Sequence, residues 1–327
     1  MSEPLRRRPR DERDDAPPRG RRSDARESAG GIFRHGFESL TALALSGVQV
    51  TASVLDLETG RVLFSVDDHL SVPTAGVGQV LLLVEVAARI SERDRPARGA
   101  SPDDTAGGRP GLRAVPGAES LSILNRTAGD RVGGSGLWQH LQVPALPIAD
   151  LAALVGATND NLATNVLLRR IGLDAVRARG EQLGLRRTHL LDIVRDERGP
   201  DDAPHLSVGS ARELSSLFRR IHRGEAADEM ASKLVVGWLS LGSDLSMVAS
   251  AFGFDPLAHD DFSHGLTLFN KTGSDHGIRS EVGVLTGPDA GVAYAVTMRF
   301  NDRDLPARLA VLDGMRTLGT DLLEYVY

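Results

Sequence analysis

Leu266-Thr-Leu-Phe-Asn-Lys-Thr-Gly-Ser274 is the stretch on which the fold turns. Leu266, Leu268 and Asn270 alternate with Thr267, Phe269 and Lys271, the two-residue period of a buried strand, and Gly273-Ser274 supplies residues that end it in a turn. A Lys-Thr pair closing an apolar strand calls for a reason. The tripeptide is common by chance, and an edge-strand lysine in water would account for it. What lies upstream decides between that reading and a site.

The 327 residues are 41% hydrophobic, enough for one large or two moderate cores. A net charge of −6 with no one-signed basic face argues against nucleic acid as a main partner, because phosphate binding needs clustered Lys and Arg. There is no cysteine, so neither disulfides nor thiolate chemistry is available. Lys233 and Lys271 are the only lysines, and any task that needs an amine falls to one of them. Residues 1–30 are mostly Arg, Asp, Pro, Gly and Ser with little to bury, and predict a disordered, solvated tail rather than a nucleic-acid arm. That tail lacks the apolar run of a secretory signal, and no stretch approaches the ~20 apolar residues that cross a bilayer. The expectation is a cytoplasmic protein with no membrane partner.

Helical spacing covers Phe33–Leu45, and alternation over Val48–Leu55 and Val62–Val66 around a Leu57-Glu-Thr-Gly60 turn predicts a hairpin. Ser71-Val-Pro-Thr-Ala-Gly-Val-Gly-Gln-Val-Leu-Leu-Leu-Val84 feeds a helix apolar on nearly all sides, which should be the buried centre of the protein. Residues 92–119 read as a long polar loop. Helical segments follow at about 118–127, 136–141, 148–157, 161–171, 173–183, 210–222 and 230–241, with a polar loop at 186–207. Strands at 266–272, 279–286 and 292–300 precede a last helix at 306–325. The order predicts an α+β fold: an antiparallel sheet flanked by its terminal helices, with an all-α part inserted. We place the domain at 31–327, its α/β part at 31–70 and 235–327 and its mainly helical part at 71–234.

That order, with Lys271-Thr-Gly273 on the third strand, resembles the class A β-lactamase and penicillin-binding serine hydrolase superfamily over residues 31–327. Val72-Pro-Thr-Ala-Gly-Val-Gly-Gln-Val-Leu-Leu-Leu83 is similar to the segment in which Ser-x-x-Lys opens the central helix. Asn159-Asp-Asn-Leu-Ala-Thr-Asn165 resembles the Ser-Asp-Asn loop and the helix behind it, and Gly133-Gly-Ser-Gly136 the stretch ahead of it. Lys271-Thr-Gly273 with Gly277 and Arg279 resembles the carboxylate-recognition strand.

The departures fall on proton handling. The family's nucleophile position is Gly76, its lysine Gln79 and its Ser-Asp-Asn serine Asn159. Glycine cannot attack, and neither amide side chain serves as a base at neutral pH. The position of the family's deacylating glutamate falls near Val194, with Asp192, Asp196 and Glu197 close by. The resemblance then implies a ligand-binding wall of Gly76, Asn159, Asn161, Lys271, Thr272, Ser274 and Arg279, with backbone N–H groups at Gly76 and Ser274 for an anion. The expected partner is a small molecule carrying a carboxylate and an amide or lactam, bound without hydrolysis. Two alternatives stay open: a hydrolase or acyl-transfer enzyme whose base has moved, to His276 or Asp192, and a protein-interaction module. Ser71, Thr74 and Ser135 read as turn or capping residues. Asp255, His259, Asp260, Asp261 and His264 fit no compact metal-ligand set. No phosphate loop or dinucleotide fingerprint is present, and no cofactor is expected. Gly76→Ser with Gln79→Lys is the change expected to restore slow acylation.

Overall fold

The computed structural model describes residues 29–94, 119–256 and 263–327. The expected tail and most of the 92–119 loop lie outside the described residues, as do His259, Asp260 and Asp261.

Five antiparallel strands form the central sheet: β1 (Gln49–Asp56), β2 (Val62–Val66), β3 (Thr267–Asp275), β4 (Ile278–Thr286) and β5 (Gly291–Arg299). Their spatial order is β2-β1-β5-β4-β3, which places the Lys-Thr-Gly strand at one edge. Register runs from Gln49↔Arg299 to Asp56↔Val292 between β1 and β5, and from Thr267↔Thr286 to Asp275↔Ile278 between β3 and β4.

Alternation along the strands feeds two cores. Phe269, Val282, Val284, Ala293 and Ala295 join the core built by the central helix α2 (Gln79–Asp94) and α6 (Ala211–His222). Leu268, Leu285, Val292, Tyr294 and Val296 face the helices α1 (Arg34–Leu45) and α8 (Leu305–Val326). A sheet covered on both faces explains why the strands read as nearly continuous apolar runs. The terminal helices are locked by Asp321, whose buried carboxylate accepts the Gly36 N–H at 2.7 Å.

The inserted helices are α3 (Ile148–Thr158), α4 (Asn161–Ile171), α5 (Leu173–Gln182) and α7 (Glu229–Leu239), packed around α2. Gln79 through Ala88 of α2 are all buried, as its apolar circumference requires. No helix among the described residues is long and apolar enough to cross a membrane.

Four local expectations need correction. Residues 119–127 are not helical: Ile123–Asn125 is a short strand paired with Ala145–Pro147, and the Arg126 guanidinium ties it to Trp138 O and Leu141 O at 2.9 and 3.0 Å. At 136–141 only the single turn Trp138–His140 forms, because Gly136 sits at φ +115°, outside the helical region. Strand β3 continues to Asp275, three residues beyond the expected stop, and turns at Gly277, φ +67°. The central helix starts at Gln79, behind a tighter turn at Ala75–Gly78, so Gly76 lies in that turn.

Candidate functional site

The turn Ala75–Gly78, the α3–α4 junction and the end of β3 meet at one place. The turn is packed closely enough on both its faces, against β3 and against Ser207, to demand glycine. A Cβ at Gly273 would stand 2.3 Å from Thr74 O, and one at Gly78 would stand 2.2 Å from Ser207 Cβ. Ser207 fixes the turn: its Oγ donates to Ala75 O and shares a hydrogen bond with Thr74 Oγ1, both at 2.7 Å, and all of these hydroxyls are buried. Thr74 and Ser71 therefore act as turn residues, Ser71 Oγ donating to Arg187 O at 2.7 Å.

The α3–α4 junction is held by Asp160. Its buried carboxylate caps α4 through Ala163 N–H at 2.9 Å and accepts the N–H groups of Leu137 and Trp138 at 2.7 and 2.8 Å. Asn159, just before it, ends α3 in the left-handed region at φ +53°, a conformation asparagine tolerates. Asn161 is drawn to the loop ahead: its Nδ2 donates to Gly133 O at 2.9 Å and its N–H to Ser135 O at 3.1 Å.

At the centre lies the Asn159 carboxamide. Its Oδ1 accepts a hydrogen bond from Lys271 Nζ, and its Nδ2 donates to Thr272 Oγ1 at 3.2 Å. A Cβ placed on Gly76 would lie 2.7 Å from that same Oδ1. The amide oxygen thus fills the space a side chain at 76 would need. Lys271 is 1% exposed and Thr272 4% exposed. Burial pushes the Lys271 amine down to about 7, with the carboxylate of Asp244 opposing the shift.

The residues that the resemblance sets at the proton-handling positions have these surroundings. Gln79 is buried, its Nε2 donating to Thr164 Oγ1 at 3.1 Å, while its Oε1 has no hydrogen-bond partner among the described residues. Val194 exchanges two hydrogen bonds with the Asn165 side chain. Asp192 is ion-paired with Arg195 and Arg198 at 2.8 and 2.7 Å. Burial alone would raise its pKa, but hydrogen bonds from Arg195, the Ile193 N–H and Arg198 hold it below the usual carboxylate value. A carboxylate so neutralised is a poor base. Asp196 reaches across to the Gly133 N–H at 2.8 Å, and Glu197 is exposed.

Ser274 and His276 are exposed at the open end of β3. Arg279, opposite Ser274 in register, is largely buried and spends its guanidinium elsewhere. It donates to Asp275 O and Ile278 O at 2.8 and 2.7 Å, pairs with Asp302 at 3.7 Å and lies over the Phe300 ring. Gly76, Asn159, Lys271 and Thr272 are therefore brought into contact, while Asn161, Ser274 and Arg279 stand around them. Among the described residues no group of three His, Asp or Glu side chains could hold a metal ion.

Sequence reasoning missed Glu281, which pairs in register with Thr272 and is fully buried. Tyr294 OH and Asn270 Nδ2 donate to one of its oxygens at 2.6 and 2.9 Å, and Val248 and Ala249 N–H to the other. Burial raises it to about 7 against those donors. A lone acid inside an apolar strand was the available signal. Asp244, whose field bears on Lys271, Arg279 and Glu281, carried none.

Comparison with solved structures gives a β-lactamase from Sphaerobacter thermophilus at TM-score 0.72 and 20% identity, covering 90% of this chain and 97% of that one. PBP-A follows at TM-score 0.69 and 15% identity, with 89% and 95% covered. An ancestral class A β-lactamase has a TM-score of 0.67 and 20% identity, with 88% and 98% covered. At these identities the likeness establishes the fold. A comparison with curated proteins gives no significant match. The model of the β-lactamase enzyme family matches residues 38–326, nearly all of the described fold. With a family model matched over that span and the same fold in the solved structures, the chain belongs to the β-lactamase enzyme family.

Proposed function

We propose that this chain is a non-hydrolytic member of its family, and that the surviving task of the site is recognition of a small molecule bearing a carboxylate beside an amide or lactam. One observation carries the reading: the Asn159 carboxamide fills the space of a side chain at residue 76, the nucleophile position by resemblance, and bridges Lys271 to Thr272. Loss of nucleophile or base in a serine hydrolase costs on the order of 10⁶-fold in rate, and further losses add little. A point mutant of PBP-A is known as an acyl-enzyme complex with penicillin G, a step that needs a nucleophile this chain lacks at residue 76. On the recognition side, Thr272 Oγ1 accepts from Asn159, which leaves its own proton for a ligand oxygen, and Ser274 offers a second hydroxyl. The backbone N–H groups of Gly76 and Ser274 add neutral donors for an anion.

A relocated base gains little support, since Asp192 is locked to two arginines. A protein partner is the second reading, favoured by the exposed Leu121, Ile123, Leu137, Leu141 and Val143.

Fluorescent penicillin and a chromogenic cephalosporin separate these readings. The expected result is neither labelling nor turnover, with saturable thermal protection by benzylpenicillin or a carboxylated peptide. Labelling or turnover overturns the proposal. No protection, together with a co-purifying protein, favours the partner.

A further inference from the structure

We infer that Asn159 is a built-in ligand of the site, an autoinhibitory side chain whose carboxamide holds the contacts an incoming carboxylate needs and must swing away before one binds. What the ligand is rests on the recognition reading above; where Asn159 sits does not.

Three observations carry it. First, the carboxamide spends both its ends on the site: the oxygen takes the Lys271 amine and the nitrogen reaches the Thr272 hydroxyl. A ligand carboxylate would need the same amine beside the same hydroxyl, so the two compete for that place. Second, the oxygen lies 2.7 Å from where a Cβ on residue 76 would be, so the space vacated by the glycine is filled rather than left open. Third, the two side chains that Asn159 bridges are sealed, at 1% and 4% exposure, whereas Ser274 two residues on is exposed. Two surface depressions, of about 510 and 660 Å³, are lined by other residues, around Leu57 and His222 and around Ser246 and Leu309.

The plug is also hinged in a suitable way. Asn159 is the residue that ends α3 at φ +53°, while the rigid anchor of the junction is Asp160, with three backbone donors. Rotation of one side chain at Asn159 therefore opens the site without dismantling either helix. A ligand that must displace it binds with its intrinsic affinity multiplied by the fraction of molecules already open.

The scarcity of lysine makes the test direct. Lys233 is 71% exposed and serves as an internal control for Lys271. The folded protein is reductively methylated with formaldehyde and borohydride at pH 7, and both lysine peptides are read by mass spectrometry. The full-length wild type should be modified at Lys233 and protected at Lys271. Asn159→Gly, which suits a positive φ, should uncover Lys271 and raise benzylpenicillin affinity at least about tenfold, the gain expected if fewer than one molecule in ten is open. Asn159→Asp retains an oxygen for the amine and should keep Lys271 protected. Should the glycine variant fail to fold, Asn159→Ser carries the same comparison. Methylation of Lys271 in the wild type at the rate of Lys233 overturns the inference, as does continued protection in Asn159→Gly or exposure in Asn159→Asp. If Lys271 is uncovered by the glycine yet benzylpenicillin binds neither protein, the internal ligand stands and the recognition reading falls.

Discussion

A serine at residue 76 would bring its Cβ within 2.7 Å of Asn159 Oδ1, so Gly76→Ser alone should lower stability by about 1–3 kcal/mol. Adding Asn159→Ser should recover most of that loss, a non-additivity that urea unfolding of the two single variants and the double one would measure. The pair Gly76→Ser with Gln79→Lys, sufficient on sequence grounds, is then not sufficient to restore acylation. Labelling by fluorescent penicillin should need the triple change that also includes Asn159→Ser. Gly78→Ala offers a control away from ligand contacts: its Cβ would lie 2.2 Å from Ser207 Cβ, and Ser207→Gly should relieve the strain.

At the scale of elements, the α3–α4 junction depends on one carboxylate. Asp160→Ala removes a helix cap and leaves the N–H groups of Leu137 and Trp138 without their acceptor, so it should cost about 2–4 kcal/mol in urea unfolding. Asp160→Asn keeps an acceptor and should cost less. Elements of this kind were legible. The helices at 161–171 and 173–182 follow from local periodicity and capping, and the five strands from alternation. The segment around Ile123 was not, because its strand character comes from pairing with Ala145–Pro147, about twenty residues away, rather than from its own pattern. The sequence also pointed to Gly76, Asn159, Lys271 and Thr272 in separate motifs, and the fold brings them together. The plug was not legible: its hydrogen bonds join residues 112 and 113 positions apart, and an asparagine beside a glycine in separate motifs gives no hint that one fills the other's space.

For the whole molecule, two buried groups on neighbouring strand positions set opposing responses to pH. Glu281, shifted from 4.5 to about 7, is protonated in both folded and unfolded chains below pH 4.5. Between there and 7 only the folded chain holds that proton, so stability falls as pH rises. Lys271, shifted from 10.5 to about 7, is charged in both states below 7. Above 7 the folded amine has released its proton while the unfolded one keeps it, so stability recovers toward 10.5. Their joint contribution is a trough near neutrality, with limbs of up to about 1.4 kcal/mol per pH unit. Chemical unfolding across pH should show Glu281→Gln flattening the acid limb and Lys271→Met the alkaline one.

The pairing of β1 with β5 carries a cost in time as well as space. Residues 49–56 leave the ribosome long before their neighbour at 291–299 exists. At about 5–20 residues per second, the wait is on the order of tens of seconds. Throughout it the nascent hairpin presents an unpaired apolar edge, while the helical insertion is already able to collapse around α2. Chains truncated before residue 291 should therefore collect as aggregates or on chaperones, and the sheet should be the last part of the protein to gain protection during synthesis.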